Sequence, residues 1–212
     1  MSGLRKKRRR YYDFFSHFYD AFIRLHARRD EYDTRYFLVD ASYREKKPPH
    51  ALLDICCGTG SVIFAFAERY ADALLVGYDF SNGMIRKAQE KNAKTRAGFV
   101  EGDAAELPFR DDSFDIVTCS HALYELKGPS RTRALLEMKR VLQPDGLVLL
   151  MEHEVPENPL IKVLFNLRLF VMGSHDAREF LDVGLQRLKT IFHRVDLSHS
   201  PSGKSRLMVC RK

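Results

Sequence analysis

Residues 51–60 read Ala-Leu-Leu-Asp-Ile-Cys-Cys-Gly-Thr-Gly, and their reading decides the fold. Ala51 to Ile55 is a short apolar run preceded by Lys46-Lys47-Pro48-Pro49, the pattern of a fully buried strand. It breaks at Gly58-Thr59-Gly60 and leads into Ser61 to Tyr70, apolar and of helix length. Strand, glycine turn and helix together let a ligand lie against the backbone. Gly58 and Gly60 carry no Cβ to block it, and the helix start offers free N–H donors. Asp54 falls at the carboxyl end of the strand, where open α/β sheets bind ligands. Two nucleotide signatures fail here. The dinucleotide fingerprint needs a third glycine where Ile63 stands, and the Gly-Lys-Ser/Thr of a phosphate loop is absent.

The 212 residues suit one domain with a sizeable core, and 45% hydrophobic with 30% charged residues describe an ordinary globular protein. The net charge of +7 invites a nucleic-acid reading, but Arg5 to Arg10 supply six of those charges, leaving +1 elsewhere. The basicity belongs to residues 1–10, read as a solvated, disordered tail. No apolar leader follows it, and the run Leu160 to Met172 is too short to span a bilayer. Cys56, Cys57, Cys119 and Cys210 show no paired spacing, and the histidines no ligand pattern. Reduced thiols in a cytoplasmic protein without a metal are expected.

Phe14, Phe18, Phe22 and Leu25 recur at helical spacing. Residues 11–48 are therefore read as a helical element, either a packing helix or a lid over the glycine turn with Tyr19 or a neighbour facing the ligand. A second strand, Ala73 to Tyr78, closes on Asp79, 21 residues after Gly58, near the offset at which an acid meets ribose hydroxyls. Ser81 caps the next helix. Phe99 to Ala104 reads as a third strand ending in an acid, Asp103, placed to accept from the exocyclic amine of a purine. A fourth strand, Ile116 to Ser120, precedes His121-Ala-Leu-Tyr124, and Ser130 to Leu142 is a helix. Gln143-Pro-Asp-Gly146 is a turn, and a fifth strand, Leu147 to Met151, ends in Glu152-His153-Glu154. Alternating strands and helices, with polar groups gathered at the carboxyl ends, imply an α/β fold with a doubly wound parallel sheet. Val195 to Leu197 and Arg206 to Cys210 read as two closing strands. Gly203-Lys204-Ser205 lacks the first glycine and the helix of a phosphate loop.

From about 51 to 154 the chain resembles the class I S-adenosylmethionine-dependent methyltransferases, and most closely their ubiquinone/menaquinone C-methyltransferases. The resemblance rests on Leu53 to Gly60, Gly77 to Ser81, Gly102-Asp-Ala104 with Leu-Pro-Phe109, Ser113-Phe-Asp115 and Leu142 to Gly146 taken together. It implies a mostly parallel seven-stranded, Rossmann-like sheet with an antiparallel last strand. It also implies S-adenosylmethionine as cofactor and S-adenosylhomocysteine as product. Asp54, Cys56, Gly58 and Gly60 would hold its amino-acid end, and Asp79 the ribose. Phe80 and Met84 would flank the adenine, Asp103 and Ala104 would meet its edge, and Ser120 would line the sulfonium. Tyr19, in the N-terminal segment, would help to cover it.

On this reading residues 49–212 are the methyltransferase domain, and 155–192 a helical substrate-side insertion. Methyl transfer from a sulfonium needs alignment and exclusion of water, and a base only where the nucleophile must lose a proton. His121, His153 and Tyr124 sit where such a base could act, and a structural role stands beside it for each histidine. The expected acceptor is a small apolar or aromatic molecule, quinone- or lipid-like in one version. Peripheral membrane contact and a homodimer stay open as partners. No nucleic acid is expected, because the Asn/Asp-Pro-Pro-aromatic run of amino-directed enzymes is replaced by Ser120 to Tyr124. A nucleic-acid or protein methyltransferase and a catalytically silent cofactor-binding module are the rival readings.

Overall fold

The structure, a computed structural model, describes residues 9–17, 19–20, 30–45, 48–93, 95–126, 128–154, 163, 176–201, 203 and 205–212. Seven strands form one sheet: β1 (Ala51–Ile55), β2 (Leu74–Asp79), β3 (Gly98–Glu101), β4 (Phe114–Ser120), β5 (Leu142–His153), β6 (Arg194–His199) and β7 (Ser205–Arg211). Their order is β3-β2-β1-β4-β5-β7-β6. The first five strands are mutually parallel, and β7 runs antiparallel between β5 and β6. The expected sheet is therefore present, with its last strand antiparallel. Strand order reverses between β1 and β4, which places the ligand crevice at their carboxyl ends.

Helices cover both faces. The described helical residues 9–17 and 19–20 form α1. They are followed by α2 (Asp30–Glu45), α3 (Ser61–Arg69), α4 (Asn82–Lys91), α5 (Pro129–Val141) and α6 (Asp176–Ile191). Because side chains alternate along a strand, β1 feeds two cores. Leu53 and Ile55 join Val117, Leu150, Met138 and Leu188 on one face. Leu52 joins Ile116, Leu149, Leu38 and Phe66 on the other. Each such side chain contributes about 1.5–3 kcal/mol by burial. Entry into β1 is fixed by Asp115, whose Oδ2 accepts from the backbone of His50 and Ala51 at 2.8 and 2.7 Å.

Most strand and helix ends fall within two residues of the sequence reading, and two boundaries near the site differ by more. The third strand stops at Glu101 rather than Ala104, because the backbone at Gly102 passes over the Tyr78 hydroxyl, where a Cβ would lie 1.8 Å from that oxygen. The expected Gln143–Gly146 turn is a bulge inside β5. Phe114 pairs with Leu142 but Ile116 pairs with Leu147, so the extra residues loop out of an otherwise continuous strand. The apolar run 160–172, most of the insertion and residues 1–8 of the basic tail lie outside the described residues. Among the described residues no helix is long and apolar enough to cross a membrane.

Candidate active site

β1 leaves the sheet through three residues with left-handed backbone: Cys56 (φ 57°), Gly58 (φ 54°) and Gly60 (φ 82°). The turn closes with Gly60 N donating to the Cys57 carbonyl at 3.0 Å. Asp54 lies one residue before the strand end, beside Gly77 of β2 and Thr118 of β4. It is 1% exposed, and Thr118 Oγ1 donates to its Oδ1 at 2.7 Å. Oδ2 is buried with no hydrogen-bond partner among the described residues. Burial pushes the carboxyl up to about 7, the Thr118 hydroxyl opposing and the Asp79 charge adding to it. An orphaned carboxylate oxygen of this kind costs about 1–3 kcal/mol, a cost that a cationic donor would remove.

Asp79 closes β2 and is 5% exposed. Its Oδ2 accepts from Gly58 N and its Oδ1 from Ser81 N, both at 2.9 Å. The carboxylate thus stitches the glycine turn to the start of α4, and each oxygen keeps a second lone pair for a ligand hydroxyl. Burial pushes it up to about 6, the two N–H donors pull it down, and the charges of Glu125 and Asp13 add to the rise. Ser81 caps α4, its Oγ accepting from Met84 N at 3.2 Å, and Met84 itself is buried. Asp103 stands two residues past β3, where its Oδ1 accepts from Ala105 N at 3.0 Å, and Ala104 is buried. Asp54, Asp79 and the 56–60 turn are therefore brought together, with Asp103 and Ala104 one strand further out.

The α1 helix meets this region by a face other than the expected one. Phe14, a member of the apolar stripe, is 70% exposed, whereas Phe18, Phe22 and Leu25 lie outside the described residues. The docked side is the polar stripe Asp13, Ser16 and Asp20, which recurs at spacings of three and four. Asp13 Oδ1 accepts from Ser81 Oγ at 2.7 Å and Gly83 N at 3.0 Å. Asp20 accepts from Thr59 Oγ1 at 2.8 Å and pairs with Lys91 at 3.1 Å. Tyr12 packs edge-on against Phe80 with ring centroids 5.6 Å apart, and its hydroxyl donates to Glu125. Tyr19 packs edge-on against Phe15, so it is Asp20 that reaches the glycine turn.

On the other side of β1, Ser120 ends β4 half-buried and His121 follows with φ 51°. His121 N donates to the Met151 carbonyl at 2.7 Å, and its ring stacks on His153 with centroids 4.1 Å apart. Burial first, then His153, holds the His121 pKa well below the usual range, and its Nδ1 finds no partner among the described residues. The Tyr124 ring lies 6.2 Å from His153. Two further residues shape this loop, and the sequence reading assigned a role to neither. Glu152, 0% exposed, accepts from Leu123 N at 2.9 Å and Tyr124 N at 3.3 Å. Arg131 donates to the carbonyls of Leu123 and Tyr124, both at 3.1 Å. A short 3-10 turn, Leu123–Glu125, is thus gripped by its N–H groups from one side and its C=O groups from the other.

With strands about 5 Å apart, the row of polar ends from β3 to β5 extends about 20 Å. That length suits a nucleoside over β1–β3 and a second reactant over β4–β5. A doubly wound sheet with a left-handed glycine turn at its switch point and an acid ending the neighbouring strand defines a Rossmann-like nucleoside-binding domain. Residues 52–146 match the family described as a methyltransferase domain. The chain is 41% identical over 161 residues to a demethylmenaquinone methyltransferase of Staphylococcus aureus, a match covering 68% of this chain and 66% of that one. A demethylmenaquinone methyltransferase of Lactiplantibacillus plantarum is 40% identical over 116 residues, covering 52% and 48%. The chain thus spans between about half and just under two thirds of the length of these curated relatives. Among solved structures, a Methanococcus maripaludis protein superposes with a TM-score of 0.64 at 16% identity, covering 98% of this chain and 93% of that one. A SAM-dependent methyltransferase from Aquifex aeolicus gives 0.59 at 16% identity, covering 82% and 88%. These two share the fold. Residues 52–146 are thus similar to a methyltransferase domain, and the chain is similar over the matched stretches to demethylmenaquinone methyltransferases.

Proposed function

We propose that the chain transfers the methyl group of S-adenosylmethionine to a small, apolar, quinone-like acceptor. The observation that carries this is the buried Asp54 Oδ2, orphaned among the described residues beside the left-handed 56–60 turn. That cradle suits the ammonium and carboxylate of an amino acid, while Asp79 keeps lone pairs for ribose hydroxyls. Cys56, Gly58 and Gly60 would hold the amino-acid end, Phe80 and Met84 the adenine face, and Asp103 and Ala104 its edge. Ser120 would line the sulfur and Tyr19 the cover. The cofactor supplies an electrophilic methyl group on sulfonium. The protein aligns the acceptor and keeps water out.

The acceptor class rests on the two relatives named demethylmenaquinone methyltransferase. A quinol carbon becomes nucleophilic as its ring hydroxyl loses a proton, which we assign to the His121 Nδ1; the new carbon–methyl bond would form as the methyl–sulfur bond breaks to leave a neutral thioether, and loss of that carbon's own hydrogen would restore the aromatic ring and its hydroxyl. Burial keeps this ring neutral, and the left-handed backbone at 121 fixes its direction. His153 supports it by stacking, and Tyr124 borders the pair. The four cysteines are free thiols, which suits work in the cytoplasm.

The test is a methyl-transfer assay with labelled S-adenosylmethionine and a reduced, short-chain demethylmenaquinone. Wild type yields the singly methylated quinol, and His121→Asn loses roughly 100-fold in kcat with cofactor affinity kept. Cofactor binding without transfer to this or any extract component would instead make the chain a silent binding module. Transfer to RNA or protein alone would overturn the acceptor class.

A further inference from the structure

We infer that Cys56 and Cys119 form a redox-responsive thiol pair that closes to a disulfide beneath the cofactor cradle. All four cysteines are free thiols. Asp54 pairs with Thr118 across β1 and β4, and continuing that register puts Cys56 one residue beyond the level of Cys119. The spacing and rise of parallel strands then set the two Cα atoms about 6 Å apart, inside the span of a disulfide. Both side chains also share a face. Cys119 belongs to the core that holds Ile55 and Val117, and Cys56 packs against the same core. Strand alternation alone would send Cys56 to the side opposite Ile55, and its left-handed φ of 57° breaks that alternation. The Cys119 thiol donates a hydrogen bond to Cys56, and that bond together with burial holds its pKa well above the usual range. Cys119 is 0% exposed whereas Cys56 is half-buried, so Cys56 is the sulfur that an oxidant reaches. The other two cysteines face elsewhere. Cys57 Sγ is turned to Gly77 of β2, 2.9 Å from where a Cβ would stand, and Cys210 lies on β7, two strands from β4.

The oxidant is a hydroperoxide. Cys56 Sγ attacks one peroxide oxygen, the S–O bond forming as the O–O bond breaks, and the thiol proton leaves with the departing oxygen as water. Cys119 Sγ then displaces the hydroxyl of that sulfenic acid. The S–S bond forms, the S–O bond breaks, and the Cys119 proton leaves with the hydroxide as a second water. Two electrons have passed from the thiols to the peroxide. In a reducing compartment the bond is transient, undone by exchange with a dithiol. Because Cys56 begins the left-handed turn, closure ties the first residue of the cradle to β4. That the cradle holds the cofactor rests on the proposed function, whereas the thiol pair does not.

The full reduced chain is treated with hydrogen peroxide, its remaining thiols are alkylated, and its peptides are mapped by mass. A cross-link between the Cys56 and Cys119 peptides, lighter by two hydrogens, is expected in wild type and in Cys57→Ala, and dithiothreitol should remove it. Cys119→Ala should form no cross-link and stop at a sulfenic acid on Cys56, trapped by dimedone. By titration calorimetry the oxidised wild type should bind S-adenosylhomocysteine roughly tenfold more weakly than the reduced protein, with recovery on reduction. Thiols that stay free under peroxide, or a cross-link through Cys57 or Cys210, overturn the pair. A Cys56–Cys119 bond that leaves the affinity unchanged overturns its control of the cradle. Reduced protein that ignores S-adenosylhomocysteine overturns the methyl-transfer reading and leaves the cross-link, read by mass, to support or overturn the pair by itself.

Discussion

Asp79 does two tasks with one carboxylate. It accepts from Gly58 N and Ser81 N, and it presents its remaining lone pairs at the end of β2. Asp79→Ala would therefore strip a ligand contact and also leave two N–H donors without their acceptor at the loop that forms the cradle. We expect a loss of about 1–3 kcal/mol in S-adenosylmethionine affinity by titration calorimetry and a loss of similar size in the stability of the unliganded protein. Asp79→Asn keeps one acceptor oxygen and should lose affinity while sparing more of the stability. An unchanged dissociation constant in both variants would remove Asp79 from the ribose site. This residue and Asp54 were legible in the sequence because a strand, a glycine pair and a strand-end acid are local patterns. Thr118, which fixes Asp54 Oδ1, was hidden because its partner lies 64 positions away.

At the scale of elements, the turn after β4 is held by groups from β5 and α5. Glu152 accepts its N–H groups and Arg131 donates to its C=O groups. Burial pushes Glu152 up to about 8 against the pull of those N–H donors and of Arg206. Its folded pKa therefore exceeds the unfolded one, so the favourable protonated form is progressively lost as pH rises toward 8. Glu152→Gln keeps an acceptor oxygen and has no charge to bury. Its stability should exceed that of wild type by as much as about 4 kcal/mol at pH 8, the difference vanishing near pH 4.5, as followed by urea unfolding. A pH-independent difference would show that Glu152 ionises freely in the folded state. The sequence showed Glu152 only as part of a polar strand ending, since the grip appears once β5 and α5 pack against the turn. The docked side of α1 escaped for a different reason. The apolar stripe through Phe14 was the louder pattern, but the short polar stripe of Asp13, Ser16 and Asp20 matched the open donors of α4 and the glycine turn. Likewise the Gln143–Gly146 segment has turn chemistry, and only its pairing across to Phe114 and Ile116 makes it a bulge.

For the whole molecule, three buried acids set the balance between folding and ligand binding. Asp54 is pushed up to about 7, Asp79 to about 6 and Glu152 to about 8, all chiefly by desolvation. Each binds its proton more tightly folded than unfolded, so their contribution is full below about pH 4 and is lost progressively above it, up to about pH 6 for Asp79, 7 for Asp54 and 8 for Glu152. His121, depressed by burial, works the other way, but only below its ordinary value near 6.5. The unliganded protein should thus lose stability from pH 6 to pH 8. A cofactor that offers an ammonium to Asp54 and hydroxyls to Asp79 favours their charged forms, so its affinity should rise over the same interval. Thermal unfolding by circular dichroism at pH 6, 7 and 8, with and without S-adenosylhomocysteine, measures both effects. Each kcal/mol corresponds to roughly 2–4 °C in a chain of this size. The free protein's Tm should fall by several degrees toward pH 8 while the shift given by the ligand grows. A flat free-protein curve with a ligand shift that does not depend on pH would mean that neither Asp54 nor Asp79 changes its protonation when the cleft is filled. The acids would then hold the loops in shape without choosing the ligand.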